Sequence, residues 1–140
     1  MKVMHKGRPV TVEVMPDGAG LVSHAGIALL GQVADKLGLT SSLSAGLAAL
    51  KQRQRGHDPG RVIRDLAVML ADGGECVADL GAIRDQEPLF GDVASDSTAF
   101  RTVQKVAANP QLLGSVRVAH ARARTRFWDL AGQIEGDRQT

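Results

Sequence analysis

Apolar positions recur at helical spacing through most of this chain and alternate only near its start. Val10, Val12 and Val14 interleave with Thr11 and Glu13, the period of a half-buried strand. Lys6-Gly7-Arg8-Pro9 is composed to turn a short hairpin back onto Lys2 to His5, and Pro16 to Gly20 ends the strand. From Ser23 the spacing becomes three and four. Ile27, Leu30, Ala34 and Leu37 predict a helix capped by Ser23 and stopped by Gly38 in the left-handed conformation. Thr40 or Ser41 is placed to cap a second helix, with Leu43, Leu47 and Leu50 inward. Asp58-Pro59 pairs a capping carboxylate with proline at the first helical position, and Val62, Leu66, Met69 and Leu70 form the stripe behind it. Asp72-Gly73-Gly74 breaks that helix.

A short helix follows from Val77 to Arg84, with Leu80 and Ile83 inward, and then a loop from Glu87 to Gly91. Ser95 or Asp96 caps the next helix, whose Phe100, Val103 and Ala107 are expected to face the core. Asn109-Pro110 opens the longest one. There Leu112, Val116, Ala119, Ala123, Phe127, Leu130 and Ile134 keep the spacing to a polar tail at Gly136 to Thr140. The expected architecture is one mainly α domain over 1–140, a bundle of about six helices with a short N-terminal β-strand or hairpin. The β element and its turn occupy 1–19, the helices 20–135 and the tail 136–140.

Composition supports helices. Aromatic residues are 3% of the chain and tyrosine is absent, so the core is built from Ala, Leu and Val. The same scarcity argues against aromatic platforms for single-stranded nucleic acid. Net charge is only +2, but the cations cluster. Lys51, Arg53, Arg55, Arg61 and Arg64 share a stretch with Asp58 alone, and Arg117, Arg122, Arg124 and Arg126 share one with no acid. Cys76 is the single cysteine, which rules out an internal disulfide, and the four histidines show no zinc-ligand spacing. No secretory h-region and no run of roughly 20 apolar residues is present, so a cytoplasmic protein without a membrane partner is expected.

Several motifs carry a chemical reading beside a plainer one. Asp17-Gly18-Ala19-Gly20-Leu21-Val22-Ser23 lies between strand and helix, as a phosphate-cradling loop does. Its third glycine is replaced by Ser23 and no βαβ unit follows, so a turn and a cap explain it better. Asp72, Glu75 and Asp79 gather at the Gly-Gly break, where solvated charge and capping outweigh a magnesium site. Ser23-His24 and the other lone histidines could form a nucleophile and base pair only through tertiary contacts that the sequence does not display. Cys76 is expected as a small buried side chain. The helices from Arg61 to Ala108 invite a helix-turn-helix reading in which Arg61, Arg64, Arg101 and Lys105 meet DNA. Arg117 and Arg124, seven apart, form either a second phosphate-binding stripe or the wet side of an amphipathic helix.

The stretch HDPGRVIRDLAVMLADGGECVADLGAIRDQEPLFGDVASDSTAFR, His57 to Arg101, resembles the N-terminal part of DDE-type bacterial insertion-sequence transposases of the thirteen-eighty group. GLVSHAGIALLGQVADKLGLTSSLS ahead of it and the Arg-Ala-rich helix from Arg117 to Trp128 resemble the same family in order. The resemblance implies an all-helical region preceding an RNase H-like core, whose three carboxylates bind two divalent metals for strand cleavage and transfer. The first of those carboxylates follows the Arg-rich helix, so the chain is expected to be truncated before the catalytic core. No catalytic residue and no metal ligand is carried over, and magnesium is expected only for the full-length family. The implied function is a DNA-binding and assembly fragment, inert alone, that recognises terminal inverted repeats. A homodimer or an intact transposase is its expected protein partner. The alternative is a helical interaction domain that dimerises through the Leu112 to Ile134 face without touching DNA.

Overall fold

The computed structural model describes residues 2–5, 8–11, 25–51 and 53–138. It is mainly α, as the hydrophobic spacing predicts. Strands β1 (Lys2–His5) and β2 (Arg8–Thr11) pair antiparallel, with Lys2 opposite Thr11 and His5 opposite Arg8. The hairpin expectation therefore holds at its start. Val12 and Val14, the glycine loop, Ser23 and His24 lie outside the described residues.

Helix α1 (Ala28–Lys36) follows a 3-10 turn at Ala25–Ile27 and ends at Gly38, whose φ of 76° is the left-handed stop expected there. Its buried positions are Ala28 and Gly31, whereas Leu30 is exposed. The helix approaches its neighbour through its smallest residues. A Cβ on Gly31 would sit 2.6 Å from Nη1 of Arg64, so the missing side chain makes room for a guanidinium. Helix α2 (Leu39–Gly46) begins from Gly38 without a side-chain cap. The Ser41 hydroxyl instead donates to the Gly38 carbonyl at 3.1 Å. Leu43 and Leu47 are buried as expected, and Leu50 is half-buried in a 3-10 turn.

Helix α3 (Pro59–Ala71) starts as the Asp58-Pro59 signal predicts. The Asp58 carboxylate accepts from the Arg61 N–H at 3.1 Å and from the Ser44 hydroxyl at 2.9 Å, which ties the cap to α2. Gly60 allows the two backbones to touch, because a Cβ there would lie 2.2 Å from the Ser44 nitrogen. Val62, Leu66 and Met69 are buried, but Leu70 shares the solvent side with Ala67 and Ala71. Gly73, at φ 94°, ends the helix at the predicted break.

After a 3-10 turn at Val77–Asp79, α4 (Leu80–Arg84) inserts Leu80 and Ile83 into the core. The expected loop at 87–91 is instead one helical turn, α5 (Glu87–Phe90), which begins with Pro88 in its first turn and buries Phe90. Strand β1 runs beside it. Helix α6 (Asp96–Ala107) is capped by Ser95, whose hydroxyl accepts from the Thr98 N–H at 3.4 Å. Its buried positions are Ala99 and Val106, so the predicted Phe100, Val103 and Ala107 face is rotated outward. An Arg84–Asp96 pair at 2.7 Å pins its first turn to α4 and directs the small Ala99 inward.

Helix α7 (Pro110–Arg138) opens where Asn109 accepts from the N–H groups of Gln111 and Leu112 at 2.9 and 3.3 Å. Ala119 and Ala123 are buried, and Ser115 meets α2 so closely that a Cβ on Gly46 would lie 2.8 Å away. Phe127, Leu130 and Ile134 continue the same face but stay exposed. The helix continues through Gly136 and Asp137, where the spacing predicts a polar tail. One apolar cluster, built around Val62, Leu66, Met69, Leu80, Ile83, Phe90 and Ala99, joins α3 to α6. Each large side chain in it contributes about 1.5–3 kcal/mol by leaving water.

Candidate nucleic-acid interface

Because Ala99 and Val106 turn inward, α6 presents Arg101 and Lys105 outward, one helical turn apart. They form one wall of an open cleft of about 450 Å³. Across from them lie Lys51, just past the 3-10 turn, and Arg53, in a turn closed by a Gly56 N–H to Arg53 carbonyl bond of 3.1 Å. His57 and Pro59 bring the start of α3 to the cleft, and Thr98 and Thr102 add hydroxyls from α6. Four cations thus converge, and among the described lining residues none is a carboxylate. None of the four is in an ion pair among the described residues. Such a wall attracts a polyanion and repels itself without one. His57 is also 3.8 Å from the Asp92 carboxylate, which gives its protonated form a partner at the rim.

The six sequence-predicted positions separate into three groups. Arg101 and Lys105 stand together in the cleft. Arg61 and Arg64 do not reach it. Nη2 of Arg61 donates to the Phe90 carbonyl at 2.8 Å, fastening α3 to the end of α5. Arg64 is only 7% exposed, and its Nε lies 3.1 Å from Oδ1 of Asp65, itself 3% exposed. Burial pushes the Asp65 carboxyl up to about 6, against the pull of Arg64 and Arg61. These two arginines therefore serve an interior charge. Arg117 and Arg124 are exposed on α7 and line no part of the cleft. Lys51, Arg53 and His57 belong to the cleft yet were absent from the predicted site. Their signal was the basic run after α2, whose irregular backbone gave no helical face on which to place them.

Of the acids at the Gly-Gly break, Asp79 forms a cap. The Asp79 carboxylate accepts from the N–H groups of Glu75 and Cys76 at 2.7 and 3.0 Å, and those bonds hold its pKa below the usual carboxylate range. Among the described residues no three His, Cys, Asp or Glu side chains gather to hold a metal ion. The described acids do not fit a two-metal centre. Cys76 is exposed rather than buried, because it sits at the mouth of that cap and not under the helix. No described helix is long and apolar enough to cross a membrane.

The family described as transposase DDE domain group 1 matches residues 4–133. No curated protein and no solved structure matches the chain. The match spans most of the sequence, and the chain belongs to this transposase family.

Proposed function

We propose that this transposase chain is a DNA-binding and assembly unit that grips the duplex in the cleft between α6 and the 51–57 segment. The observation that carries this reading is the convergence of Lys51, Arg53, Arg101 and Lys105 on one open, carboxylate-free wall. Each guanidinium or ammonium placed on a phosphate releases condensed counterions, so the grip is strong at low salt and fades as salt rises. Helix α6 then acts as the reading helix, with Gln104 and Phe100 beside the cations on its outward face. Arg61 and Arg64 act indirectly, by holding α3 and therefore the cleft floor in place. The motifs from His57 to Arg101 resemble those of insertion-sequence transposases of the thirteen-eighty group, and terminal inverted repeats are the target this reading assigns. The unit is read as binding without cleaving, and Asp79 at the Gly-Gly break is engaged in capping a turn.

The test is binding to a short random-sequence duplex across a salt series. Wild type should give a steep negative slope of log affinity against log salt. In Arg101→Ala/Lys105→Ala that slope should shrink by about 2, one for each lost phosphate contact. Arg117→Ala/Arg124→Ala should leave it unchanged. A salt-independent affinity, or an unchanged slope in the α6 variant, rejects the cleft as the interface. Added magnesium should produce no nicking, and nicking by the pure chain would overturn the non-cleaving role.

A further inference from the structure

We infer that the outward face of α6 selects A·T base pairs in the major groove, with Gln104 on adenine and Phe100 against the thymine methyl. It rests on the cleft being the DNA interface, since the phosphate grip sets the helix on the duplex. Ala99 and Val106 face the core, and Thr102 is half-buried beside them, which fixes the rotation of α6. Arg101 and Lys105 then turn to the cleft wall with Thr98. The stripe next to them, away from the body of the protein, carries Ser97, Phe100 and Gln104, all exposed. A strand of phosphates held in the cleft brings the groove edge over that stripe, and the major groove is wide enough to admit the helix. Phe100 has no role inside the fold. Phe90 is 4% exposed and anchors the core, whereas Phe100 is 52% exposed.

The chemistry of the stripe selects the base pair. A glutamine amide offers a donor and an acceptor side by side, which matches the N7 acceptor and N6 donor of adenine. A phenyl ring makes no such bond, and the thymine methyl is the apolar group that the major groove presents to it. What the stripe lacks matters as much. Guanine O6 and N7 call for a cation, and cytosine N4 calls for a carboxylate. Both cations of α6 line the cleft, and its one acid, Asp96, is held by Arg84 at 2.7 Å. Gln104 and Phe100 are four residues apart, about 6 Å along the helix. Successive bases are about 3.4 Å apart, so the two contacts fall within about two base-pair steps.

Fluorescence anisotropy on the full chain, with four short duplexes of equal length at one moderate salt concentration, tests the assignment. The duplexes are alternating A·T, alternating G·C, A·T with deoxyuridine in place of thymidine, and A·T with 7-deazaadenine in place of adenine. Wild type should bind the A·T duplex about tenfold tighter than the G·C duplex. Deoxyuridine should weaken binding about fourfold, the contribution of one methyl group, and 7-deazaadenine about tenfold. Phe100→Ala should lose the response to deoxyuridine alone, and Gln104→Ala the response to 7-deazaadenine alone. Gln104→Arg should turn the preference toward the G·C duplex. Both positions are exposed, so the circular dichroism of each variant should match wild type. Equal affinity for A·T and G·C duplexes with a steep salt slope would overturn the inference and leave the cleft grip standing. An A·T preference indifferent to both analogues would overturn it as well, because the major-groove atoms would then go unread. Variants that keep both responses would remove Phe100 and Gln104 from the readout. Binding that ignores salt rejects the cleft itself, and this readout with it.

Discussion

Helices α3 and α7 show how differently one chain uses two amphipathic segments. Helix α3 has 13 residues and buries Pro59, Gly60, Val62, Arg64, Asp65, Leu66, Val68 and Met69. Helix α7 has 29 residues, and among its described side chains only Ala119 and Ala123 are buried. The short helix is enclosed by α1, α2, α4 and α6, whereas the long one lies against α2 and α6 and then runs past them. The contrast shows that a basic residue takes its role from the helix that carries it. In α3 the arginines are absorbed into the interior. On α6 and α7, at the border, they remain exposed.

The largest break of that contrast comes from Arg64. Replacing it with Ala leaves Asp65 buried beside an empty space, with its nearest cation gone. Breaking a buried pair from one side costs about 3–5 kcal/mol. Arg101→Ala, on an exposed face, should cost less than about 0.5 kcal/mol. Urea unfolding of the two variants measures the difference. Equal losses would mean that α3 is no more central than α6.

Asp65 supplies a pH signature of the same enclosure. Its carboxyl rises from 3.8 to about 6 on folding, chiefly through burial. A raised acid favours the neutral form in the folded state. Its contribution is therefore full below about pH 4 and is lost as pH climbs through about 6, about 3 kcal/mol in all. Asp79 acts in the opposite sense, since its lowered pKa favours the fold above the usual carboxylate range and loses that benefit in acid. Comparing wild type with Asp65→Asn cancels every other group. The difference in unfolding free energy should move against wild type between pH 4 and 6 and then level off. A difference that is flat, or that moves toward wild type, would show that the arginines outweigh burial at this carboxylate.

Local signals were legible in the sequence wherever a backbone requirement is written in a residue type. Asp58-Pro59, Gly38, Gly73 and Asn109-Pro110 each mark the boundary found. Facing was less legible. On α1 and α6 the spacing rule selected the large residues, but Ala28, Gly31, Ala99 and Val106 are the ones inside. Close helix approach favours small residues at a contact, and a hydrophobic pattern cannot show which neighbour will come close. The cleft was half legible for the same reason. Arg101 and Lys105 follow from helical periodicity, while Lys51 and Arg53 need the path of a loop. Arg64 looked like its surface neighbours because nothing local says that Gly31 will open a space for it.

Two glycines bring the contrast down to single methyl groups. On α3, a Cβ at Gly60 would meet the Ser44 nitrogen at 2.2 Å and the Leu43 carbonyl carbon at 2.5 Å. Both are backbone atoms that no rotamer change can withdraw. Gly60→Ala should therefore force α2 and α3 apart and cost about 1–3 kcal/mol or more. It also displaces Ser44 from Asp58, so the N-cap weakens in the same step. On α7, a Cβ at Gly132 meets nothing within 4 Å. There the methyl only removes freedom from the unfolded chain and improves helix propensity, so Gly132→Ala should raise stability by about 0.5–1 kcal/mol. The sign of the second change is the sharper test. If Gly132→Ala instead destabilises the chain, the outer half of α7 meets a neighbour that leaves no room for a methyl group.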